Sequence, residues 1–330
     1  MVLEFLMIHG DSRRAALERW LAPQFGIPFK LTPASVDASF RRYWRATLGD
    51  GRTCIAMDAP PAQEDCRPFV RVARMLADAG VHAPQVLAQD LEQGFLLLTD
   101  LGTRVYLHEI NPANAAALFA DATDALLRWQ LATRAGELPP YDEALLRREM
   151  NLFPEWYVGK HLGKSLSAPQ TESLENIFTL LTRSALAQPA VYVHRDYMPR
   201  NLMVCEPNPG VLDFQDAVLG PITYDLVSLL RDAFISWHEE QVLDWSARYW
   251  EKAKRAHLPV AADFGEFWRA FEWMGLQRHL KVLGIFARIN YRDGKPKYLA
   301  DTPRFIDYAL SVSRRYAPLA PLARLLEDLA

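Results

Sequence analysis

The sequence predicts an α+β fold with a small, β-rich N-lobe over residues 1–100 and a larger, mainly helical C-lobe over residues 101–330. Strand and hairpin signals dominate the chain from Phe29 to Leu98. After Gly102 the apolar residues recur at helical spacing, apart from one short hairpin over residues 202–212. A chain of 330 residues is long enough for two such lobes.

The N-lobe elements follow from apolar spacing and turn residues. A first helix is expected to begin after Asp11 or Ser12 as N-cap and to stop at Gly26. The segment Gly49-Asp50-Gly51 predicts a hairpin, because glycine tolerates positive φ. Gly80 is expected to end a second helix. The predicted elements, in order, are a helix over 11–25, strands over 39–48 and 52–58, a helix over 65–79, and strands near 85–88 and 95–98.

The composition is that of an ordinary globular protein, with 50% hydrophobic and 23% charged residues. The net charge of -3 argues against a general nucleic-acid binder, which needs excess Lys and Arg. No apolar run approaches the roughly 20 residues that span a bilayer, and Met1–Leu6 lacks the pattern of a signal peptide. The 3 cysteines form no C-x-x-C pair. We therefore expect a cytoplasmic protein without membrane or nucleic-acid partners.

The most informative motif is His194-Arg195-Asp196, followed by Asn201 and then by Leu212-Asp213-Phe214. Transfer of a γ-phosphoryl group from ATP to a hydroxyl needs a carboxylate to orient the attacking oxygen and accept its proton. It also needs oxygen ligands that hold Mg²⁺ against the phosphates. Asp196 has the position of the base, and Asn201 and Asp213 have the positions of the two metal ligands. The motif predicts a kinase.

The order of these residues distinguishes the kinase interpretation from a simpler one. A lone H-x-D is more often a buried turn whose Asp caps a helix. Here two short apolar strands surround the turn Glu206–Gly210, and the hairpin carries the chain from Asn201 to Asp213. The full series in order therefore favours phosphoryl transfer.

The same residues carry a family resemblance. The run His194–Asn201, with Leu212–Asp216, Gly220-Pro221 and Tyr224-Asp225-Leu226, resembles the aminoglycoside phosphotransferase and choline kinase group. The resemblance implies a bilobal protein-kinase-like fold, with ATP as co-substrate and Mg²⁺ as cofactor. It also implies that Asp225 holds the catalytic loop through backbone N–H groups, and that the hinge reads the adenine edge. The hinge residues expected to bind nucleotide are Leu98, Thr99 and Leu101.

Within that group the chain looks most like the bacterial anomeric sugar kinases. These phosphorylate N-acetylmuramate and N-acetylglucosamine at the C1 hydroxyl in peptidoglycan recycling. The resemblance implies the same reaction here, with a monomeric enzyme whose partners are ATP and a small amino sugar. The segments that carry it are Ser39–Tyr43, Met57–Pro61, Asp65–Phe69 and Gln277–Lys281.

The N-lobe departs from the kinase pattern in two places. The third strand carries Met57 where a protein kinase has the Lys that binds the α- and β-phosphates. In a hairpin that turns at Gly49–Gly51, opposite residues have numbers that sum to 100, so Arg41 and Arg45 share a face with Met57. One of them is expected to replace the Lys. If the strand register shifts by one residue, Arg42 takes that position instead. The alternative is that all three arginines are only solvated side chains of an exposed strand. In addition, Ser39-Phe40-Arg41 replaces the usual Gly-rich loop.

The acceptor is expected to be anionic or neutral. Cations outnumber carboxylates between Phe271 and Tyr298, which disfavours polycationic aminoglycosides. Arg278 and Lys281 lie three residues apart on one helix face and can bind a carboxylate, or form an ordinary solvated face. Trp156 is expected to stack on the sugar, or to be core. Asp216 is also assigned to the acceptor site. It either assists the metal through a water molecule or forms a hydrogen bond within its own turn.

Three alternatives remain at this point. Another small-molecule kinase would act on an aminoglycoside, choline or a different sugar. A pseudokinase would explain the missing third-strand Lys, although it has little reason to keep Asp196, Asn201 and Asp213. A protein kinase is disfavoured, because no Ala-Pro-Glu segment follows Asp213 and Gln215 stands where the Gly of Asp-Phe-Gly would be.

Overall fold

Two units make up the fold in the computed structural model of the protein, which describes residues 2–35 and 40–329. The first unit comprises Met1–Arg104 with Met203–Asp216, and the second comprises Val105–Leu202 with Ala217–Ala330. The first unit is β-rich and the second mainly helical, so the predicted α+β class is confirmed. The segment 203–216, which follows the expected joint at residue 100, groups with the first unit.

Within its described residues, the N-terminal segment of the first unit forms a five-stranded antiparallel sheet and two helices. The strands have the order β1-β2-β3-β5-β4 in the sheet. Their bounds, with those of the two helices, are α1 Val2–Phe25, β1 Phe29–Ser35, β2 Arg42–Leu48, β3 Thr53–Asp58, α2 Arg67–Asp78, β4 Val86–Asp90 and β5 Phe95–Thr99.

The hairpin between β2 and β3 forms where the sequence predicts it. Gly51 has φ +88° and its N–H donates to the carbonyl of Leu48 at 2.9 Å. Two expected starts are wrong: α1 begins at Val2 rather than after Ser12, and β2 begins at Arg42. Ser39, the expected start of that strand, lies outside the described residues.

Helix α1 covers one face of the sheet. Leu17 and Leu21 of this helix are fully buried against apolar side chains of β1, β2, β3 and β5, including Ala56 and Phe95. Helix α2 buries Phe69 and its apolar neighbours one turn apart. The packing of α1 therefore fixes the sheet to which β2 and its charged side chains belong.

The remaining elements are mostly helices, and they complete the chain. Their bounds are α3 Tyr106–Glu109, α4 Ala115–Leu131, α5 Glu143–Met150, a π-helix Phe153–His161, α6 Ala168–Leu186, β6 Ala190–Val193, a 3-10 turn Pro199–Asn201, β7 Leu202–Met203, β8 Gly210–Val211, β9 Val218–Pro221, α7 Tyr224–Leu230, α8 Glu239–Arg255, α9 Phe264–Asp293, a 3-10 turn Pro296–Asp301, α10 Thr302–Arg315, a 3-10 turn Ala317–Leu319 and α11 Ala320–Leu329.

Helix α9 forms the centre of the second unit. It begins at the cap Asp263, whose side chain accepts the N–H of Glu266, and it ends at Gly294, which has φ +67°. Apolar side chains of α6, α10, α11 and the π-helix surround it in one buried cluster. Strands β6 and β9 form an antiparallel pair in the same unit. Within residues 2–35 and 40–329, no helix is both long enough and apolar enough to cross a bilayer.

Candidate active site

The loop after β6 carries the predicted base. Strand β6 ends at Val193, and Asp196 follows as a half-buried side chain. The chain then closes a 3-10 turn, in which the N–H of Asn201 donates to the carbonyl of Met198 at 2.8 Å. The amide nitrogen of Asn201 donates to the main-chain oxygen of Asp196 at 2.9 Å. This hydrogen bond holds the base and the amide in one loop, in the order that the motif predicts.

Asp225 of α7 holds the start of this loop. Its two carboxylate oxygens accept the backbone N–H groups of His194 at 2.6 Å and of Arg195 at 3.0 Å. The side chain is fully buried, and burial raises the pKa of Asp225 to about 7, although the two N–H groups act in the opposite direction. The expected role of Asp225 as the acceptor of loop N–H groups is confirmed.

The second predicted metal ligand lies beyond the β7–β8 hairpin in the first unit. Asp213 is exposed and has φ +62°, a conformation that Asp adopts more readily than most residues. The amide of Gln215 donates to its carboxylate at 2.9 Å. Phe214 is fully buried with its ring centroid 4.6 Å from that of Phe69, so packing fixes the backbone next to Asp213. Asp216 is also exposed.

The donor types at these positions fit magnesium. Mg²⁺ prefers oxygen ligands and usually takes only one or two carboxylates, with phosphate and water completing its shell. The amide oxygen of Asn201 and the carboxylate of Asp213 are ligands of this kind. Among the described residues, no group of three or more His, Cys, Asp and Glu side chains could hold a metal.

The three candidate arginines of the N-lobe each bind a carboxylate. The predicted register is confirmed, because Tyr43 pairs with Met57 and Arg42 with Asp58. Nη2 of Arg42 donates to the buried Asp58, which also accepts from Arg13 of α1. These contacts fix the strand pair, and the sequence analysis did not identify Arg13.

The other two arginines bind carboxylates outside the strand pair. Nε of Arg45 donates to Asp100 at 2.6 Å, and Nη2 of Arg41 donates to Glu64 at 3.2 Å. None of these pairings tests whether one of the arginines binds phosphate.

The expected hinge residues lie at the end of β5 and just after it. Leu98 is buried. Thr99 donates its N–H to the carbonyl of Gln85, and its hydroxyl oxygen accepts the N–H of Gln85. Leu101 approaches Gly210 so closely that a Cβ built there would lie 2.8 Å from its Cδ1 atom. The three residues therefore lie in a backbone segment that packing holds in place. Their contact with adenine stays a prediction.

The candidate acceptor residues lie in the second unit, apart from Asp216. The solvated helix face considered for Arg278 and Lys281 is wrong, because 2% of Arg278 and 9% of Lys281 are exposed. Nη1 of Arg278 lies 3.4 Å from the carbonyl of Arg231, and the ammonium of Lys281 lies 2.9 Å from Glu149. Trp156 is partly buried and packs against the core around α9. Direct contact of these residues with an acceptor stays a prediction.

Glu149 is a buried charge that sequence reasoning did not identify. Its α5 neighbours Leu146 and Met150 are fully buried, and Glu149 lies on the same helix face, one turn after Leu146. This spacing is the sequence signal by which the burial of Glu149 could have been predicted. It indicates that the carboxylate points into the lobe, where it needs partners.

Comparisons with known proteins also indicate phosphoryl transfer. The model of the phosphotransferase enzyme family matches residues 30–264. A Pseudomonas aeruginosa protein named N-acetylmuramate/N-acetylglucosamine kinase is 58% identical over 302 residues, which cover 92% of this chain and 89% of the relative. A protein of the same name from Pseudomonas putida is 54% identical and covers 97% of both chains.

A solved structure supports the fold independently. The choline/ethanolamine kinase family protein from Mesorhizobium loti has a TM-score of 0.61 to this chain at 14% identity, covering 94% of this chain and 99% of that one. A likeness at this identity concerns the fold alone, and it confirms the predicted bilobal kinase-like architecture.

Proposed function

Because the chain belongs to the phosphotransferase enzyme family, we propose that it is an ATP-dependent kinase of N-acetylmuramate and N-acetylglucosamine. The reaction transfers the γ-phosphoryl group to the anomeric C1 hydroxyl and gives the sugar 1-phosphate and ADP. The identity of the acceptor is proposed from one observation: relatives that are 58% and 54% identical over most of the chain share the name N-acetylmuramate/N-acetylglucosamine kinase. A role in peptidoglycan recycling, in the cytoplasm and as a monomer, belongs to the same proposal.

Asp196 is the general base of this reaction. Its carboxylate orients the C1 hydroxyl and receives its proton as the oxygen attacks the γ-phosphorus. An anomeric hydroxyl is more acidic than an ordinary alcohol, so the proton can leave late. The bond between the amide of Asn201 and the main-chain oxygen of Asp196 supports this assignment, because it restricts the loop that carries the base.

Asn201 and Asp213 are the proposed ligands of Mg²⁺, through the amide oxygen and the carboxylate. When bound, the ion supplies positive charge that neutralises the phosphates. Asn201 is 8% exposed, whereas Asp213 is exposed on a hairpin anchored by Phe214. Asp213 supplies the charged ligand and Asn201 the neutral one.

The nucleotide is held by one of the N-lobe arginines and by the hinge. Arg41 is the candidate we favour among the three. The carboxylate that it contacts, on Glu64, is 20% exposed, whereas those on Asp58 and Asp100 are 0% and 5% exposed. Moving a guanidinium away from a buried carboxylate costs more than moving it away from a partly solvated one. Leu98, Thr99 and Leu101 supply backbone groups for adenine.

The acceptor site is proposed to include Trp156, Asp216 and Arg278, whereas the ammonium of Lys281 is paired with Glu149 and has a separate role. The lactyl group of N-acetylmuramate is anionic, and a guanidinium can bind a carboxylate bidentately. Arg278 lies on the buried part of α9 with its guanidinium near the carbonyl of Arg231. For N-acetylglucosamine, which is neutral, the aromatic face of Trp156 would supply the main contact.

The experiment is ADP release from Mg·ATP with four separate acceptors: N-acetylmuramate, N-acetylglucosamine, kanamycin and choline. The products are followed by ³¹P NMR. We expect an acid-labile sugar 1-phosphate with the amino sugars alone, and a loss of about 10²–10⁴-fold in kcat for Asp196→Asn, which keeps the shape and removes the base. Turnover with kanamycin or choline contradicts the proposed acceptor, and silence with all four favours a pseudokinase or a different acceptor.

A further inference from the structure

Four polar side chains in the second unit converge on the carboxylate of Glu149. Nη2 of Arg195 donates to Oε1 at 2.6 Å, and the ammonium of Lys281 lies 2.9 Å from the same oxygen. Tyr141 donates its hydroxyl to Oε2, and the amide of Gln277 approaches Oε2 at 3.4 Å. We call Glu149, Arg195, Lys281, Tyr141 and Gln277 the Glu149 cluster. It joins α5, α9 and the catalytic loop.

The cluster is buried, and for that reason its charges are interdependent. The side chain of Glu149 is 7% exposed and that of Lys281 is 11% exposed. A buried carboxylate is tolerated only when it is paired and hydrogen-bonded. Burial by itself raises the pKa of Glu149, but Lys281 and Arg195 outweigh it and hold that pKa below its ordinary value. The carboxylate therefore stays ionised and binds both cations.

Arg195 connects the cluster to the chemistry. It precedes Asp196 directly and has φ +76°, a left-handed conformation that is unfavourable for a residue other than glycine. Its backbone N–H is held by Asp225 at 3.0 Å and its guanidinium by Glu149. Contacts on both the main chain and the side chain thus keep Arg195 in this conformation, and the direction of the next residue follows from it.

Lys281 completes the arrangement from α9. Its ammonium donates to the hydroxyl of Tyr224 at 3.0 Å, and Tyr224 is the residue before Asp225. Burial lowers the pKa of Lys281, but Tyr224, Glu149 and Asp196 outweigh it and raise that pKa above its ordinary value. The ammonium therefore stays charged. It bridges Glu149 and the helix that holds the loop.

We propose that Glu149 and Lys281 are positioning residues of the reaction, which fix Arg195 in its left-handed conformation and thereby set the direction of the Asp196 carboxylate. Neither residue needs to touch the substrate in this role. The proposal rests on the proposed function for its kinetic readout, and it competes with direct contact of Lys281 with the acceptor.

The test compares Glu149→Gln, Lys281→Met and Lys281→Arg with the wild-type enzyme. Glu143→Gln, which alters an exposed pair on the same helix α5, is the matched control. We expect Glu149→Gln and Lys281→Met to lower kcat by about a hundredfold, because a small misplacement of a catalytic group costs that much. The KM for the sugar and the Kd for Mg·ATP should stay within about twofold of the wild type, and Lys281→Arg should recover much of kcat.

Amide hydrogen exchange supplies a readout that does not need turnover. In Glu149→Gln, the segment 194–201 should exchange faster, while α6 and α8 keep their protection. This arm remains decisive if the four acceptors prove inactive, so that failure of the proposed function is distinguished from failure of the positioning role. A raised sugar KM with unchanged kcat in Lys281→Met, unchanged exchange over 194–201, or faster exchange spread over the whole unit would each overturn the proposal.

Discussion

The carboxylate of Asp225 accepts the backbone N–H of His194 at 2.6 Å, although these residues lie on different elements and 31 positions apart. Asp225 is fully buried, and its second oxygen accepts from Arg195. The loop that carries Asp196 is thus fixed at its first two residues by a side chain from α7. This relationship makes the position of the base depend on a buried side chain of another element.

The first prediction concerns the pH dependence of stability. The pKa of Asp225 is about 7 in the folded protein against an ordinary value of 3.8. Between these values the folded state keeps a proton that the unfolded state releases, so raising the pH lowers the free energy of unfolding. The contribution of Asp225 is fully present below about pH 4 and is lost as the pH rises through about 7.

Urea unfolding at several pH values between 5 and 8 measures this effect. Asp225→Asn removes the titration, so the difference in unfolding free energy between wild type and variant should change in favour of the variant as the pH rises. Asp244→Asn, at an exposed pair on α8, is the control and should follow the wild type. Parallel curves for all three proteins would contradict the assignment.

The sequence predicted local features well, for a physical reason. The β2–β3 register follows from Gly49-Asp50-Gly51 alone, since a tight turn determines which residues face each other. The loop from Asp196 to Asn201 is likewise local, and its hydrogen bond spans only five residues. The role of Asp225 as an acceptor of loop N–H groups could be predicted because the family resemblance implies it.

The Glu149 cluster could not be predicted in the same way. Its members come from segments far apart in the chain, and most Glu and Lys side chains are exposed, so a solvated face was a reasonable expectation for Lys281. The burial comes from α9, which is enclosed by α6, α10, α11 and the π-helix. Only the tertiary arrangement brings Lys281 and Arg195 to the same carboxylate.

The second prediction concerns the metal. Asp213→Asn should weaken binding of Mg·ATP by about tenfold or more, because a neutral amide is a poorer ligand than a carboxylate for a hard cation. Binding of ATP in the presence of EDTA should not change. Calorimetry with and without Mg²⁺ measures both.

Asp216→Asn is the comparison for that experiment, since Asp216 is also exposed and lies three residues away. It should have a smaller effect. Equal losses in the two variants would indicate that the hairpin contributes negative charge in general, and would remove Asp213 as a specific ligand.

The third prediction concerns the cation that replaces the third-strand Lys. Arg41→Met should raise the Kd for ATP by about tenfold, the loss expected for one hydrogen bond to a charged group. Its carboxylate partner on Glu64 keeps access to water, so the melting temperature should change little. Arg52→Met, at an exposed pair in the same hairpin, is the control. An unchanged Kd in Arg41→Met would exclude Arg41 as the phosphate-binding cation and favour Arg45.

The last prediction concerns the packing that positions α9. A Cβ built on Gly284 would lie 2.3 Å from the carbonyl carbon of Leu152, immediately before the π-helix. Gly284→Ala should therefore destabilise the protein by about 1–3 kcal/mol, because the two backbones cannot approach as closely. The midpoint of urea unfolding measures the loss.

Gly275 provides a matched control on the same helix. A Cβ there would meet its nearest neighbour, the ring of His279, at 3.4 Å, an ordinary contact distance. Gly275→Ala should be neutral or stabilising by up to about 1 kcal/mol, since alanine favours helix interiors over glycine. If both variants unfold at the wild-type midpoint, the close approach at Leu152 does not determine where α9 lies. If Gly284→Ala alone is destabilised and also loses kcat, the packing of α9 against Leu152 contributes to the placement of Lys281.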